Sequence, residues 1–295
     1  MRKLAFVAFV SLAVPTAMPT LAAEVDAVAS FSILGDMVSR VGGDRVAVTT
    51  FVGPNADTHV YEPTPADAAA LTSTQVFFVN GLGFEGWLER LVEATGFAGP
   101  VVTVSEGVAT HTMDEDGEEI TDPHAWQSLS NGQIYVSNIA RALCAVDAAG
   151  CKTYTANAEA YSAELAALDA EVKAKIAEVS EAQRRVITTH DAFGYFGEAY
   201  GITFLAPEGV STESEASAAD VAALIEQVRA EGVKALFIEN MSDSRLIEQI
   251  AQETGATVGG ELYADALSEP NQPAATYVDM FRHNVELLVP ALTGQ

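Results

Sequence analysis

Between Tyr154 and Gln183 the chain runs for about thirty residues without a glycine or proline. Its apolar positions there are Tyr154, Tyr161, Leu165, Leu168, Val172, Ile176 and Val179. After the first gap they recur at threes and fours, the spacing of one helical face. Asp169 with Lys173 and Glu171 with Lys175 add acid-to-base pairs one turn apart. At about 1.5 Å per residue the predicted helix is on the order of 45 Å long, well beyond an ordinary globular helix. A rod of that length near the middle of 295 residues, with strand–helix alternation on both sides, predicts an α/β protein. Two Rossmann-like lobes with mainly parallel sheets, joined by a rigid helix, are the expected architecture. The expected limits are residues 24–153 for the first lobe, 154–183 for the helix and 184–295 for the second lobe.

Residues 1–23 read as a cleaved export signal. Arg2 and Lys3 open it, an apolar run from Leu4 to Val14 follows, and Leu21-Ala22-Ala23 closes it with small residues. No cysteine stands near the cleavage region, so a soluble periplasmic protein without a lipid anchor is expected. The formal charge is −26 and becomes more negative once Arg2 and Lys3 leave with the signal. Such a surface repels nucleic acid and anionic lipid and attracts cations.

Cys144 and Cys151 are the two cysteines, and export favours a disulfide between them. On one continuous helix they would lie roughly 10 Å apart, more than the about 7 Å a bridge tolerates between α-carbons. The chain is therefore expected to turn at Asp147-Ala148-Ala149-Gly150, before the rod.

Strands are predicted from Val25, over Val46–Val52, Val76–Val79 and Val101–Val104 before the rod. After it they fall over Val186–Thr189, Ile202–Leu205, Ala235–Glu239 and Thr257–Leu262. Glu106–Thr121 reads as a polar loop, and the last helix as Thr276–Leu292. His190 follows its strand directly, His59 and Asp265 lie in loops just past strand ends, and His124 closes a loop after another. In open α/β sheets ligands bind at those carboxyl edges. Three imidazoles and one carboxylate brought together across a cleft form a nitrogen/oxygen set suited to Zn²⁺. Of the other histidines, His283 sits inside the last helix and is expected to be structural.

Four stretches carry a specific resemblance. They are Gly53-Pro54-Asn55-Ala56-Asp57-Thr58-His59-Val60-Tyr61-Glu62-Pro63-Thr64-Pro65, Asp122-Pro123-His124-Ala125-Trp126, His190-Asp191-Ala192-Phe193-Gly194-Tyr195-Phe196, and Glu239-Asn240-Met241-Ser242-Asp243 followed by Tyr263-Ala264-Asp265-Ala266-Leu267. Together they resemble the zinc-binding members of the solute-binding proteins that serve metal ABC transporters, over nearly the whole mature chain. The resemblance implies His59, His124, His190 and Asp265 as metal ligands and no enzymatic activity. It also implies a monomer that delivers Zn²⁺ to a membrane permease, with a periplasmic zinc metallochaperone as a candidate supplier. Manganese and iron relatives usually carry an acid where this chain has His190, so the resemblance favours zinc, with a manganese or iron carrier of the same family as the alternative. Thr58 stands where the family usually has proline, and Gln127-Ser128-Leu129-Ser130 departs from the usual sequence after Trp126.

Zinc relatives often carry a long histidine-rich loop at Glu106–Thr121. Here that segment is short and acidic, with His111, Asp114, Glu115, Asp116, Glu118 and Glu119, and His111 is a candidate for a secondary metal site. Two enzyme readings compete. Gly81-Leu82-Gly83-Phe84-Glu85-Gly86 matches G-x-G-x-x-G between a strand and a helix, the context of a dinucleotide-dependent oxidoreductase, although Glu85 puts a negative charge where a pyrophosphate would sit. An exported zinc hydrolase is the other, against which four protein ligands would close the site to water.

Overall fold

The computed structural model describes residues 23–115, 118–213 and 216–294. The expected export signal, apart from Ala23, and Asp116 of the acidic segment lie outside the described residues. The first lobe comprises β1 (Val25–Phe31), α1 (Ser32–Gly42), β2 (Val46–Val52), α2 (Pro65–Ser73), β3 (Val76–Val79), α3 (Leu88–Thr95) and β4 (Val101–Thr103). A hairpin of β5 (Thr112–Glu115) and β6 (Glu118–Thr121) follows, then α4 (Leu129–Val146) and the long α5 (Cys151–Ala177). The second lobe holds β7 (Arg185–Ile187), α6 (Gly194–Tyr200), β8 (Thr203–Leu205), α7 (Ala218–Glu231), β9 (Ala235–Glu239), α8 (Arg245–Thr254), β10 (Thr257–Leu262) and α9 (Tyr277–Thr293).

Local chemistry starts several of these helices where the sequence places them. Thr64 accepts a hydrogen bond from the Asp67 amide while the Asp67 carboxylate accepts from the Thr64 amide, and Pro65 opens α2. Ser217 caps α7 and Thr276 caps α9 in the same way, each through the amide of an aspartate three residues on.

Each lobe contains a parallel four-stranded sheet. The first has the order β2-β1-β3-β4, and the second, read in the matching direction, β8-β7-β9-β10. In each lobe the order is second, first, third, fourth strand by position in the chain. The loops after the strands therefore emerge at one carboxyl edge per lobe.

The linking helix runs for 27 residues from Cys151 to Ala177, about 40 Å. It starts earlier and ends sooner than the periodicity alone predicts. Gly150 precedes its first turn, and at the far end the chain leaves helical geometry at Ser180. There the Arg184 guanidinium donates to the Val179 carbonyl at 2.9 Å. Its buried face is Tyr154, Ala158, Tyr161, Leu165, Leu168, Val172 and Ile176, so Ala158 fills the gap in the apolar pattern. Cys144 and Cys151 form a disulfide across the Asp147–Gly150 turn, in which Asp147 takes both the Arg45 guanidinium and the Tyr154 hydroxyl.

The segment read as a polar loop at Glu106–Thr121 instead contains the antiparallel β5–β6 hairpin, with Met113 opposite Ile120. One apolar core runs without interruption from Val25 in β1, through α4 and α5, to Leu292 in α9, and a smaller one fills the second lobe beneath α7 and α8. The lobes are thus packed on a shared spine. Among the described residues no helix is long and apolar enough to cross a membrane.

Candidate metal centre

The cleft between the two carboxyl edges brings His59, His124, His190 and Asp265 together, with one donor atom of each within 4.8 Å of all the others. His59 follows β2, His124 follows β6, His190 lies three residues past β7, and Asp265 lies three past β10. Asp265 Oδ2 stands 3.3 Å from His59 Nε2, 3.6 Å from His124 Nε2 and 3.1 Å from His190 Nε2. His59 Nε2 and His124 Nε2 are 3.3 Å apart. Donors held about 2.0–2.1 Å from one tetrahedral centre lie about 3.3 Å from each other, so these spacings fit a single metal ion. His124, His190 and Asp265 are fully buried, and His59 is 8% exposed.

A carboxylate orients each of the two innermost rings. Asp122 Oδ1 accepts the His124 amide at 2.9 Å and lies 2.8 Å from its Nδ1. Glu239 Oε1 accepts the amides of Thr189 and His190, while Oε2 lies 2.5 Å from His190 Nδ1. Binding at Nδ1 leaves Nε2 facing Asp265, the arrangement that fixes the tautomer of a ligating histidine. Asp57 Oδ1 accepts the His59 amide at 2.9 Å, and the His59 ring stands edge-on to Phe84, centroids 4.8 Å apart. Asp265 is set by the carbonyl before it: Ala264 O accepts from Trp126 Nε1 at 2.9 Å and from Gln127 Nε2 at 2.7 Å.

Burial opposes charge on His124, but the Asp265 and Asp122 carboxylates outweigh it and the imidazole is pushed up to about 9. Burial likewise opposes charge on His190, and Glu239 with Asp265 raises it well above the ordinary imidazole value. Burial would raise Asp265, yet the imidazolium charges of His124 and His190 hold it well below the usual carboxylate range. Protonation of these two rings and binding of a divalent cation therefore oppose one another.

Sequence reasoning singled out the four clustered residues but gave no role to Asp57, Asp122, Glu239 and Gln127. The first two share a visible signal: each precedes its histidine by two residues, in Asp57-Thr58-His59 and Asp122-Pro123-His124. Gln127 was notable as a departure from the family pattern, and it holds the loop of Asp265. At the other departure, Thr58 supplies its carbonyl to Trp87 Nε1 at 3.2 Å.

His111 belongs to no cluster of three ligating groups among the described residues. Its ring packs on Tyr195, centroids 4.1 Å apart, with Nε2 3.6 Å from Asp122 Oδ2. A Cβ on Gly194 would lie 2.6 Å from that oxygen, so the glycine permits the approach of α6. His283 Nε2 lies 2.9 Å from the carbonyl of Glu261, away from the cleft. In the glycine-rich loop, Glu85 is buried. Its carboxylate accepts the Ser30 hydroxyl at 2.7 Å and the amides of Asn80 and Gly81 at 2.7 and 3.0 Å. The protein's own acid fills the place a pyrophosphate would need. Gly81 is required there by its φ of +78° and by Thr103, 2.5 Å from where a Cβ would stand.

Two parallel-sheet lobes packed around this buried cluster define the substrate-binding component of a metal ABC transporter. The chain belongs to the ZnuA family, the periplasmic component A of the zinc-uptake complex, which it matches over residues 27–291. It is 36% identical over 267 residues to the manganese-binding lipoprotein MntA of Halalkalibacterium halodurans, covering 90% of this chain and 88% of that one. It is 31% identical to the iron ABC transporter substrate-binding lipoprotein MtsA of Streptococcus pyogenes, covering 90% and 88%. Among solved structures, the periplasmic zinc-binding protein TroA of Treponema pallidum superposes with a TM-score of 0.86 at 29% identity, covering 91% of this chain and 99% of that one.

Proposed function

We propose that this protein is a periplasmic zinc carrier that captures one Zn²⁺ between its lobes and delivers it to the membrane permease of an ABC importer. His59, His124, His190 and Asp265 are the proposed ligands. The observation that carries the reading is the convergence of three imidazole Nε2 atoms on one buried carboxylate oxygen. Three nitrogens and one oxygen at tetrahedral spacing suit zinc. Manganese favours oxygen donors and higher coordination. The proposed division is a metal-binding lobe at 24–153, a linking helix at 154–183 and a second metal-binding lobe at 184–295, the α5 helix itself running from Cys151 to Ala177. A monomer supplied by a periplasmic metallochaperone completes the proposal.

A manganese or iron carrier is the second reading, and one observation favours it. Asp265 Oδ1 is buried without a hydrogen-bond partner, so the carboxylate has a second oxygen to offer as a fifth donor. Zinc hydrolysis finds less support, because four protein donors leave no open position for water. Equilibrium dialysis against equal free Zn²⁺ and Mn²⁺, followed by elemental analysis, separates the two carriers. One zinc per chain is expected, and manganese retained in preference would overturn the zinc reading while leaving a carrier.

A further inference from the structure

The three histidine amides are each held by a carboxylate, but the third carboxylate is used differently. Asp122 and Glu239 each belong to the same lobe as their histidine and spend further contacts on its ring. Asp57 takes the His59 amide on Oδ1 and, on Oδ2, the hydroxyl of Thr212 at 2.6 Å. Thr212 belongs to the second lobe, in the segment after β8, 155 residues along the chain. The same turn is tied to that lobe through Asn55 by two further hydrogen bonds. The Asn55 amide donates to Leu267 O at 2.9 Å and Asn240 Nδ2 donates to Asn55 Oδ1 at 3.0 Å.

His59 is also the ligand nearest solvent. It borders a cavity of about 510 Å³ at the cleft mouth together with Phe84, Val210, Ser211 and Glu213. We infer that Thr212 is a positioning residue that acts through Asp57 to hold His59 in the metal-binding geometry. The inference rests on the metal-centre reading above. Because the Thr212–Asp57 bond spans the cleft, it exists while the lobes are together and resists the departure of His59. Thr212 therefore governs how fast the metal leaves and has little influence on how fast it arrives, the usual partition for groups that lock a bound state.

Cobalt(II) is the probe, since its visible absorption reports tetrahedral coordination and its release to excess chelator is followed by stopped flow. For Thr212→Val, release is expected to quicken about tenfold, the lower end of what losing an outer partner of a metal ligand costs. The association rate, the saturated cobalt spectrum and the metal-free thermal midpoint should match wild type. Thr212→Ser, which keeps the hydroxyl, should release at the wild-type rate. Wild-type release by Thr212→Val overturns the inference, as does fast release by Thr212→Ser. A fall in the metal-free midpoint of Thr212→Val that accounts for its faster release would make Thr212 a stability residue and also overturn it. A wild type that binds no cobalt would overturn the metal-centre reading itself, a failure distinguishable from these.

Discussion

Asp122 and Glu239 fix their histidines by amide and ring together, so each imidazole has one orientation available when the metal arrives. Glu239→Gln keeps an acceptor for the two amides but can present an N–H to His190 Nδ1 in place of a carboxylate oxygen. Metal affinity is expected to fall by about 10- to 100-fold, measured by chelator competition, with the fold intact by circular dichroism. Protonation gives a second expectation at this scale. His124 is raised to about 9 and His190 is raised as well, so near pH 7 both yield a proton when metal binds. Calorimetry in buffers of different ionisation heat should report about two protons released, and affinity should weaken with each step of acidification below about pH 9. In the metal-free protein the sign reverses. A raised imidazole stabilises the fold fully below its unfolded value of about 6.5 and loses that contribution as pH rises through about 9. The depressed Asp265 contributes above about 3.8 and loses its contribution as pH falls below that. The metal-free thermal midpoint should therefore decline from pH 6.5 to 9, while the gain conferred by zinc grows. The four clustered residues were legible because each follows a strand end, whereas Thr212 sits in an irregular segment and Gln127 in a single 3-10 turn, neither with a periodicity that points to a partner in the other lobe.

At the scale of elements, α5 was legible because its apolar stripe repeats at helical spacing over seven turns. Its end was not, since Val179 continues that stripe just past the last helical residue, Ala177, and is buried there all the same. The β5–β6 hairpin was hidden by its composition: Asp114, Glu115, Glu118 and Glu119 read as a solvated loop, and its pairing rests on backbone bonds that acidic side chains do not announce. The disulfide at the start of α5 closes a short loop and contributes about 2–3 kcal/mol. Replacing Cys144 and Cys151 with serine should lower denaturant stability by about that amount and leave zinc stoichiometry unchanged, because the 18-residue α4, about 27 Å of helix, lies between His124 and the turn. A loss of zinc binding in that variant would place the turn in the site's support.

For the whole molecule, the repeated strand order of the two sheets explains why four ligands meet. Two copies of one topology face each other with their carboxyl edges inward. The lobes also share a core along α4, α5 and α9, and Tyr277 at the start of α9 donates its amide to Asp36 of α1 and its hydroxyl to Trp126 O. Separating them widely would expose packed apolar surface and break these bonds, so metal release is expected through modest opening and local loop motion. Small-angle scattering should show little change in radius of gyration between metal-free and zinc-loaded protein. Since neither lobe holds all four ligands, zinc bound to the closed form should stabilise the fold by about 4 kcal/mol at a thousandfold excess over its dissociation constant. His190→Ala should abolish most of that gain, and His283→Ala should keep it.

One metal ion is proposed to bridge the lobes through His59, His124, His190 and Asp265. Anomalous diffraction at the zinc edge from zinc-loaded crystals tests it most directly. One strong peak is expected in the cleft, about 2.0–2.2 Å from the Nε2 atoms of the three histidines and from an oxygen of Asp265. A zinc peak elsewhere on the molecule with none in the cleft, or a cleft peak out of bonding range of any of the four, would contradict it.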